Sequence, residues 1–150
     1  MGSASAAKRR AAHGGFSEAE FRALLDEVLS DVDRDERAGS VLEATGLKMR
    51  FVFPDLGLVL RVAASDDPHR HLEWSFQDDS IWQPKLELEM DSEVANGYLQ
   101  GKESLAIAIA RGKVRCTGES RVALLYLPAV RLLVEPYRSH ITSEHPSLVV

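Results

Sequence analysis

The sequence predicts an α+β fold, a five-stranded and mostly antiparallel sheet with one face covered by helices. Three observations predict it. A stretch of period 3.6 covers residues 16–33, four stretches of period 2 follow between residues 48 and 90, and helical spacing then returns around one short alternating stretch.

The first helix has a written start. Ser17 is the expected N-cap, and Glu20 three residues on completes a capping box. Phe16 and Phe21 flank the cap at the spacing of a hydrophobic staple. Phe21, Leu24, Leu25, Val28, Leu29 and Val32 share one face, with Glu18, Arg22, Asp26 and Glu27 opposite. "DRDERAGSVLEATG" reads as a charged connector with a short helical turn before Gly46.

The period then drops to 2. Met49, Phe51 and Phe53 alternate in "KMRFVF", Leu58, Leu60 and Val62 in "LVLRVA", Leu72, Trp74 and Phe76 in "HLEWSF", and Leu86, Leu88 and Met90 in "KLELEM". Each has one apolar and one polar face, as in an antiparallel sheet covered on one side. The joints "PDLG", "SDDPHR" and "QDDSIWQP" carry turn chemistry, and their lengths predict a meander of hairpins.

Helix resumes with "DSEVANGYLQG", capped by Asp91 or Ser92 and stopped by Gly101. The alanine-rich "KESLAIAIARG" reads as a buried helix, and "KVRCTG" as the fifth strand. "ESRVALLYLPAVRLLVEPYRSHI" is helical, broken or kinked at Pro128, with Pro136 near its end. The expected division is a disordered tail over 1–15, one domain over 16–141 and a loose C-terminal tail over 142–150.

Bulk properties narrow the function classes. A chain of 150 residues, 45% apolar and 27% charged, fits one globular domain. Its net charge of −5 argues against nucleic-acid binding. Lys8, Arg9 and Arg10 form a small basic cluster that supports at most transient membrane contact. The single cysteine, Cys116, allows no intramolecular disulfide, and a reducing, cytoplasmic setting is expected. No apolar run reaches the ~18 residues of a membrane span, and the N-terminus lacks the apolar core of a secretory signal.

"GYLQGKES", residues 97–104, superficially resembles a phosphate loop. Only three residues separate Gly97 from Gly101, Glu103 intervenes between Lys102 and Ser104, and the stretch follows a helix rather than a strand. Gly101 is therefore read as a helix terminator, with Ser104 starting the next helix. His69 and His71 crowd one hairpin with Asp66 and Asp67, but no further ligand can be named, so no metal site is assigned. Asp78 and Asp79 are adjacent and read as a solvated loop. His13, His140 and His145 lie in tails or ends. No catalytic residue and no cofactor is assigned.

The surplus is apolar. The candidates for lining a pocket between the sheet and the C-terminal helices are Phe51, Phe53, Leu60, Leu72, Trp74, Leu88, Leu105, Ile109, Leu124, Leu127 and Leu132.

The order of elements, with "LELEMDSEVANGYLQGKESLAIAIARGKVRCTGE", resembles the sterol carrier protein 2 domain. Leu99, Gly101 and Lys102 match the first part of that signature, and Ala106, Ala108 and Ala110 its alanine-rich middle. Gly112, Lys113, Val114 and Gly118 match the end, with Glu119 where aspartate is usual. The resemblance covers residues 16–135. It implies a five-stranded α+β fold with a hydrophobic tunnel that carries sterols, fatty acids, acyl-CoA or phospholipids without metal or covalent chemistry. The chain ends Leu148-Val149-Val150, where a peroxisomal address would read Ser-Lys-Leu.

Three functional readings follow. The first is a non-catalytic carrier of a hydrophobic small molecule. The second is a biosynthetic enzyme on the same scaffold, acting through a pocket group such as His71, Cys116 or Tyr126. The third is an interaction module, a homodimer included, with a filled core.

Overall fold

The computed structural model describes residues 15–79 and 81–150. The expected tail, with Lys8, Arg9, Arg10 and His13, lies outside the described residues apart from Gly15.

Helix α1 spans Glu18–Arg34 and starts as its sequence dictates. Ser17 Oγ accepts from the Glu20 N–H at 3.2 Å, while Glu20 Oε1 accepts from the Ser17 N–H at 3.0 Å. The Phe16 and Phe21 rings meet at 4.8 Å, forming the staple. All six expected apolar residues of α1 are buried. The charged connector is in fact a second helix, α2, Glu36–Ala44. Asp35 closes α1 with its backbone N–H and opens α2 with its carboxylate, which accepts from the N–H groups of Arg37 and Ala38. Such a double cap lets charged residues form a helix that buries only Gly39 and Leu42.

The sheet comprises β1 (Lys48–Phe53), β2 (Leu58–Ala64), β3 (Leu72–Ser75), β4 (Leu86–Glu89) and β5 (Arg115–Gly118), in the order β3-β2-β1-β4-β5. Three pairings are antiparallel, but β4 runs parallel to β1. This corrects the meander of hairpins. Only β1, β2 and β3 form a meander, and the chain between β3 and β4 crosses to the far edge of β1. Arg50 holds that crossing by donating to the carbonyls of Asp79 and Trp82, at 3.2 and 2.7 Å. Alternation fixes which face a residue occupies but not which strand lies beside it.

Helix α3 (Ser92–Leu99) ends at Gly101, which has φ +77°. The Lys102 N–H donates to Gly97 O and the Gly101 N–H to Tyr98 O, a Schellman motif. "GYLQGKES" is thus a helix end, as its spacing predicts. Helix α4 (Leu105–Ala110) is a short surface helix, burying only Leu105 and Ala108. This corrects the buried-helix expectation; alanine content favours helix without requiring burial.

Helix α5 (Ser120–Val130) contains Pro128, which has no N–H to give the Leu124 carbonyl, and a 3₁₀ turn over Arg131–Leu133 follows. Helix α6 runs Val134–Glu144. Pro136 lies in the first turn of α6 rather than near the close of one long helical region, because N–H groups there need no intrahelical partner. The last residues, expected as a loose tail, are bonded to α3. Leu148 O accepts from Asn96 Nδ2 and Gln100 Nε2, both at 3.0 Å, and the Val150 N–H donates to Gln100 Oε1 at 2.9 Å. No described helix is long and apolar enough to cross a membrane.

Candidate functional site

The helices meet the apolar sheet face around an internal space of about 40 Å³. Met49, Phe51 and Phe53 of β1, Leu60 and Val62 of β2 and Leu88 of β4 form its floor. Leu25, Val28 and Leu29 of α1 and Tyr98 and Leu99 of α3 form its roof, with Leu105, Val130 and Leu133 at one end. Drug-sized pockets occupy ~300–1,000 Å³, so among the described residues this interior is close-packed around a small space. The physical reason is aromatic filling. The Phe51 and Phe53 rings stack at 6.5 Å, and Phe21 meets Phe53 edge-on at 5.0 Å.

A larger space of about 500 Å³ lies immediately outside, a groove between the α3–α4 connection and α5. Lys102, Glu103 and Ser104 stand on one side, and Leu124, Leu127, Pro128 and Arg131 on the other. Tyr98 and Leu105 line both spaces, so one layer of side chains separates the groove from the interior. Helix α5 is apolar on both sides of this wall. Tyr126, Ala129 and Val130 are buried, while Leu124 is 78% and Leu125 52% exposed.

The structure divides the sequence-predicted pocket residues. Phe51, Phe53, Leu60, Leu72, Leu88 and Leu105 line the inner space. Leu124 and Leu127 line the groove. Trp74 sits at the β3 edge, its indole N–H donating to Asp26 Oδ1 at 2.9 Å with Arg70 over its ring. Ile109 packs against the core but lines neither space, and Leu132 lines a separate surface hollow beside α2 and α6. Sequence reasoning left out of its candidate set, among others, Tyr98, Leu99, Val130 and Leu133. Their helices were legible, but the side each helix turns to the sheet was not.

Tyr98 is the one lining residue of the inner space with an oxygen on its side chain. Burial pushes its phenol up to about 12, with the charge of Arg131 acting in the opposite sense. Its hydroxyl has no hydrogen-bond partner among the described residues.

The remaining titratable candidates stand apart. His71 Nδ1 is 2.7 Å from Glu43 Oε1 and its Nε2 3.2 Å from Glu36 Oε2, so these two carboxylates hold its pKa above the usual value. Its ring lies against Gly39, where an added Cβ would come within 2.5 Å of it. His69 is exposed in the same hairpin, and no metal-competent group forms there among the described residues. Cys116 is half-buried on β5, and burial raises its thiol. Tyr126 donates to Gly46 O at 3.1 Å. None of His71, Cys116 or Tyr126 lines either space.

A cluster unforeseen from sequence joins α1 to α6. His140 Nε2 is 2.6 Å from Asp31 Oδ2, and its Nδ1 lies 2.5 Å from Glu144 Oε2 and 3.0 Å from Glu27 Oε2. Partial burial disfavours the imidazolium, but hydrogen bonds to Asp31 and Glu144 and their charges outweigh it, raising the His140 pKa. The signal was present as two i,i+4 pairs, Glu27/Asp31 and His140/Glu144.

No protein-family model matches the chain, and no curated protein matches it. Solved structures do. A sterol carrier protein domain 2 of Helicoverpa armigera superposes with a TM-score of 0.56 at 14% identity, over 76% of this chain and 87% of that one. Sterol carrier protein 2 of Yarrowia lipolytica, in its apo form, gives 0.52 at 10% identity, over 81% and 91%. A stereoselective inverting sec-alkylsulfatase of Pseudomonas gives 0.50 at 15% identity, over 66% of this chain. The chain spans only 15% of that alkylsulfatase's length. With its mixed five-stranded sheet, helical cover and element order, this chain has the fold of sterol carrier protein 2.

Proposed function

We propose that the chain binds and carries a long-chain hydrophobic small molecule without covalent chemistry. The observation that carries this reading is the single layer formed by Tyr98 and Leu105 between the groove and the apolar interior. An acyl chain entering from the groove displaces Leu105 and slides between the sheet and the helices. Helix α5 is suited to yield. It buries only three residues, and Pro128 removes one of its backbone bonds. The structural relatives named as sterol carriers support the same reading.

The energetics permit it. Burying a sixteen-carbon chain at ~0.8 kcal/mol per CH₂ gives about 12 kcal/mol gross. Opening the interior and immobilising the ligand reduce this to roughly micromolar affinity. An apolar wall separates chains differing by one methylene by only ~1–3 kcal/mol, so chain-length selectivity is modest.

The test is native mass spectrometry of freshly purified protein, with solvent extraction and identification of what it carries. A co-purifying acyl lipid near one-to-one is the expected result. Protein that is empty and also fails to take up a fluorescent fatty acid overturns the proposal and leaves the interaction module.

A further inference from the structure

Away from the groove, α1 and α6 bring four side chains of metal-ligating chemistry together. His140 and Glu144 stand one turn apart on α6, and Glu27 and Asp31 one turn apart on α1. Asp31 Oδ2 lies 2.6 Å from His140 Nε2, which makes that nitrogen the N–H donor. The other ring nitrogen, Nδ1, faces Glu144 Oε2 at 2.5 Å and Glu27 Oε2 at 3.0 Å. Carboxylate oxygens only accept, and so does a ring nitrogen whose neighbour holds the proton. Three acceptors thus converge, and either a proton or a metal ion must lie among them.

The surroundings suit a metal ion. One ligand atom from each of Glu27, His140 and Glu144 lies within 4.8 Å of the others. Asp31 stands behind the imidazole as the carboxylate that orients a metal-bound histidine, and Arg34 holds it at 3.0 Å. Among the described residues, no lysine or arginine is paired with Glu27 or Glu144. Burial, then a hydrogen bond to Glu144, raises the Glu27 pKa, as when two acids crowd one place. The glutamates are about two-fifths exposed, so water reaches the open side of the set. A tetrahedral zinc ion, with bonds of ~2.0–2.1 Å, spaces its ligand atoms by about 3.3 Å. The two glutamates need withdraw from Nδ1 by less than about 1 Å to admit it. Imidazole among carboxylates suits zinc-like ions, whereas calcium and magnesium take oxygen ligands. His71 offers a contrast: its two carboxylates sit on opposite ring nitrogens and cannot share one ion with it.

We propose that Glu27, His140 and Glu144 bind one divalent transition-metal ion of the zinc class, with water as the fourth ligand and Asp31 orienting the imidazole. The ion staples α1 to α6 at the surface. None of its three ligands lines the groove or the interior, so the site is independent of the carrier reading. Without a metal, a proton takes the ion's place and the set is the ion-pair cluster described above.

The full chain is treated with chelator, dialysed and titrated calorimetrically with zinc chloride. One zinc ion per chain is expected, at roughly micromolar affinity. Cobalt chloride is expected to give the intense visible absorption of a four-coordinate site. Saturating zinc raises the melting temperature of the wild type. Glu27→Gln, His140→Gln and Glu144→Gln each weaken zinc binding by about a hundredfold or abolish it, and Asp31→Asn weakens it by about tenfold. His71→Gln leaves it unchanged. The substituted side chains are partly exposed on helix faces, and far-ultraviolet circular dichroism checks that each variant is folded. No zinc uptake by the wild type overturns the site. So does uptake that survives both Glu27→Gln and His140→Gln, which places the ion on other residues. A cobalt spectrum identical to that of the hydrated ion overturns it as well.

Discussion

Asp55, in the turn between β1 and β2, holds Ser92 at the start of α3 by both carboxylate oxygens. Oδ1 accepts the Ser92 N–H at 2.9 Å, and Oδ2 accepts the Ser92 hydroxyl at 2.6 Å. The residue in the N-cap position, Asp91, makes no side-chain cap bond. The helix that carries Tyr98 is therefore capped from the sheet rather than from its own sequence. That capping couples the roof of the site to its floor. Asp55→Ala removes both of these bonds to the fully buried Ser92. A loss of about 1–3 kcal/mol is expected, read by urea unfolding. An unchanged midpoint would show that water replaces the carboxylate without loss.

The unpartnered Tyr98 hydroxyl predicts that Tyr98→Phe does not destabilise the ligand-free protein. Removing an unsatisfied buried hydroxyl relieves up to about 1–2 kcal/mol of desolvation. The melting temperature of the lipid-free variant is expected to equal or exceed that of the wild type. A drop of several degrees would mean that the hydroxyl is already bonded in solution.

Phe51 sits on the central strand, beside Leu60 on β2 and Leu88 on β4, and lines the inner space. Phe51→Ala is expected to cost about 3–5 kcal/mol and to leave a cavity. Its distinguishing property is rescue. Saturating fatty acid is expected to recover more melting temperature in this variant than in the wild type, because the chain fills the new void. Equal shifts in the two proteins would place the ligand elsewhere.

The α1–α6 clasp around His140 predicts a pH dependence. The His140 pKa is raised in the folded state, so its contribution is fully present below the ordinary histidine value and is lost as pH rises through the raised one. Burial opposes ionisation of Asp31 and Glu144, but bonds to His140 hold both below their usual values, so their contribution disappears on acidification. Glu27 works against this; burial, then its bond to Glu144, raises its pKa. His140→Gln is expected to lower the melting temperature by about 2–4 °C near pH 6 and by less near pH 9. A deficit of the same size at both values would show that the imidazole acts through packing alone.

The parts of this fold legible in the sequence were those with a local cause. The Ser17–Glu20 capping box, the six buried residues of α1 and the inward Met49, Phe51 and Phe53 of β1 follow from spacing. So does the stop at Gly101, where only glycine readily takes φ +77°. Helix α2 was under-read because its stability comes from the shared cap at Asp35 and from two buried residues, not from an apolar stripe. In the candidate site, the residues found from sequence are chiefly strand residues and Leu105, whose direction follows from alternation or capping. Tyr98 was missed because nothing in "GYLQGKES" says that its hydroxyl ends in an apolar wall.

The sequence by itself determined the strands and every helix but α2, the face each long strand turns inward and the sterol-carrier-like order of elements. It did so because capping, glycine conformation and hydrophobic period act over a few residues. Tertiary structure alone decided that β4 lies parallel to β1, that Asp55 caps α3 and that Asn96 and Gln100 bind the C-terminus. It also decided that the Phe51 and Phe53 rings close the interior and that Tyr98 stands unpartnered beside Arg131. These outcomes bring together groups tens of residues apart, and which of them meet depends on the packing of whole elements rather than on any local pattern.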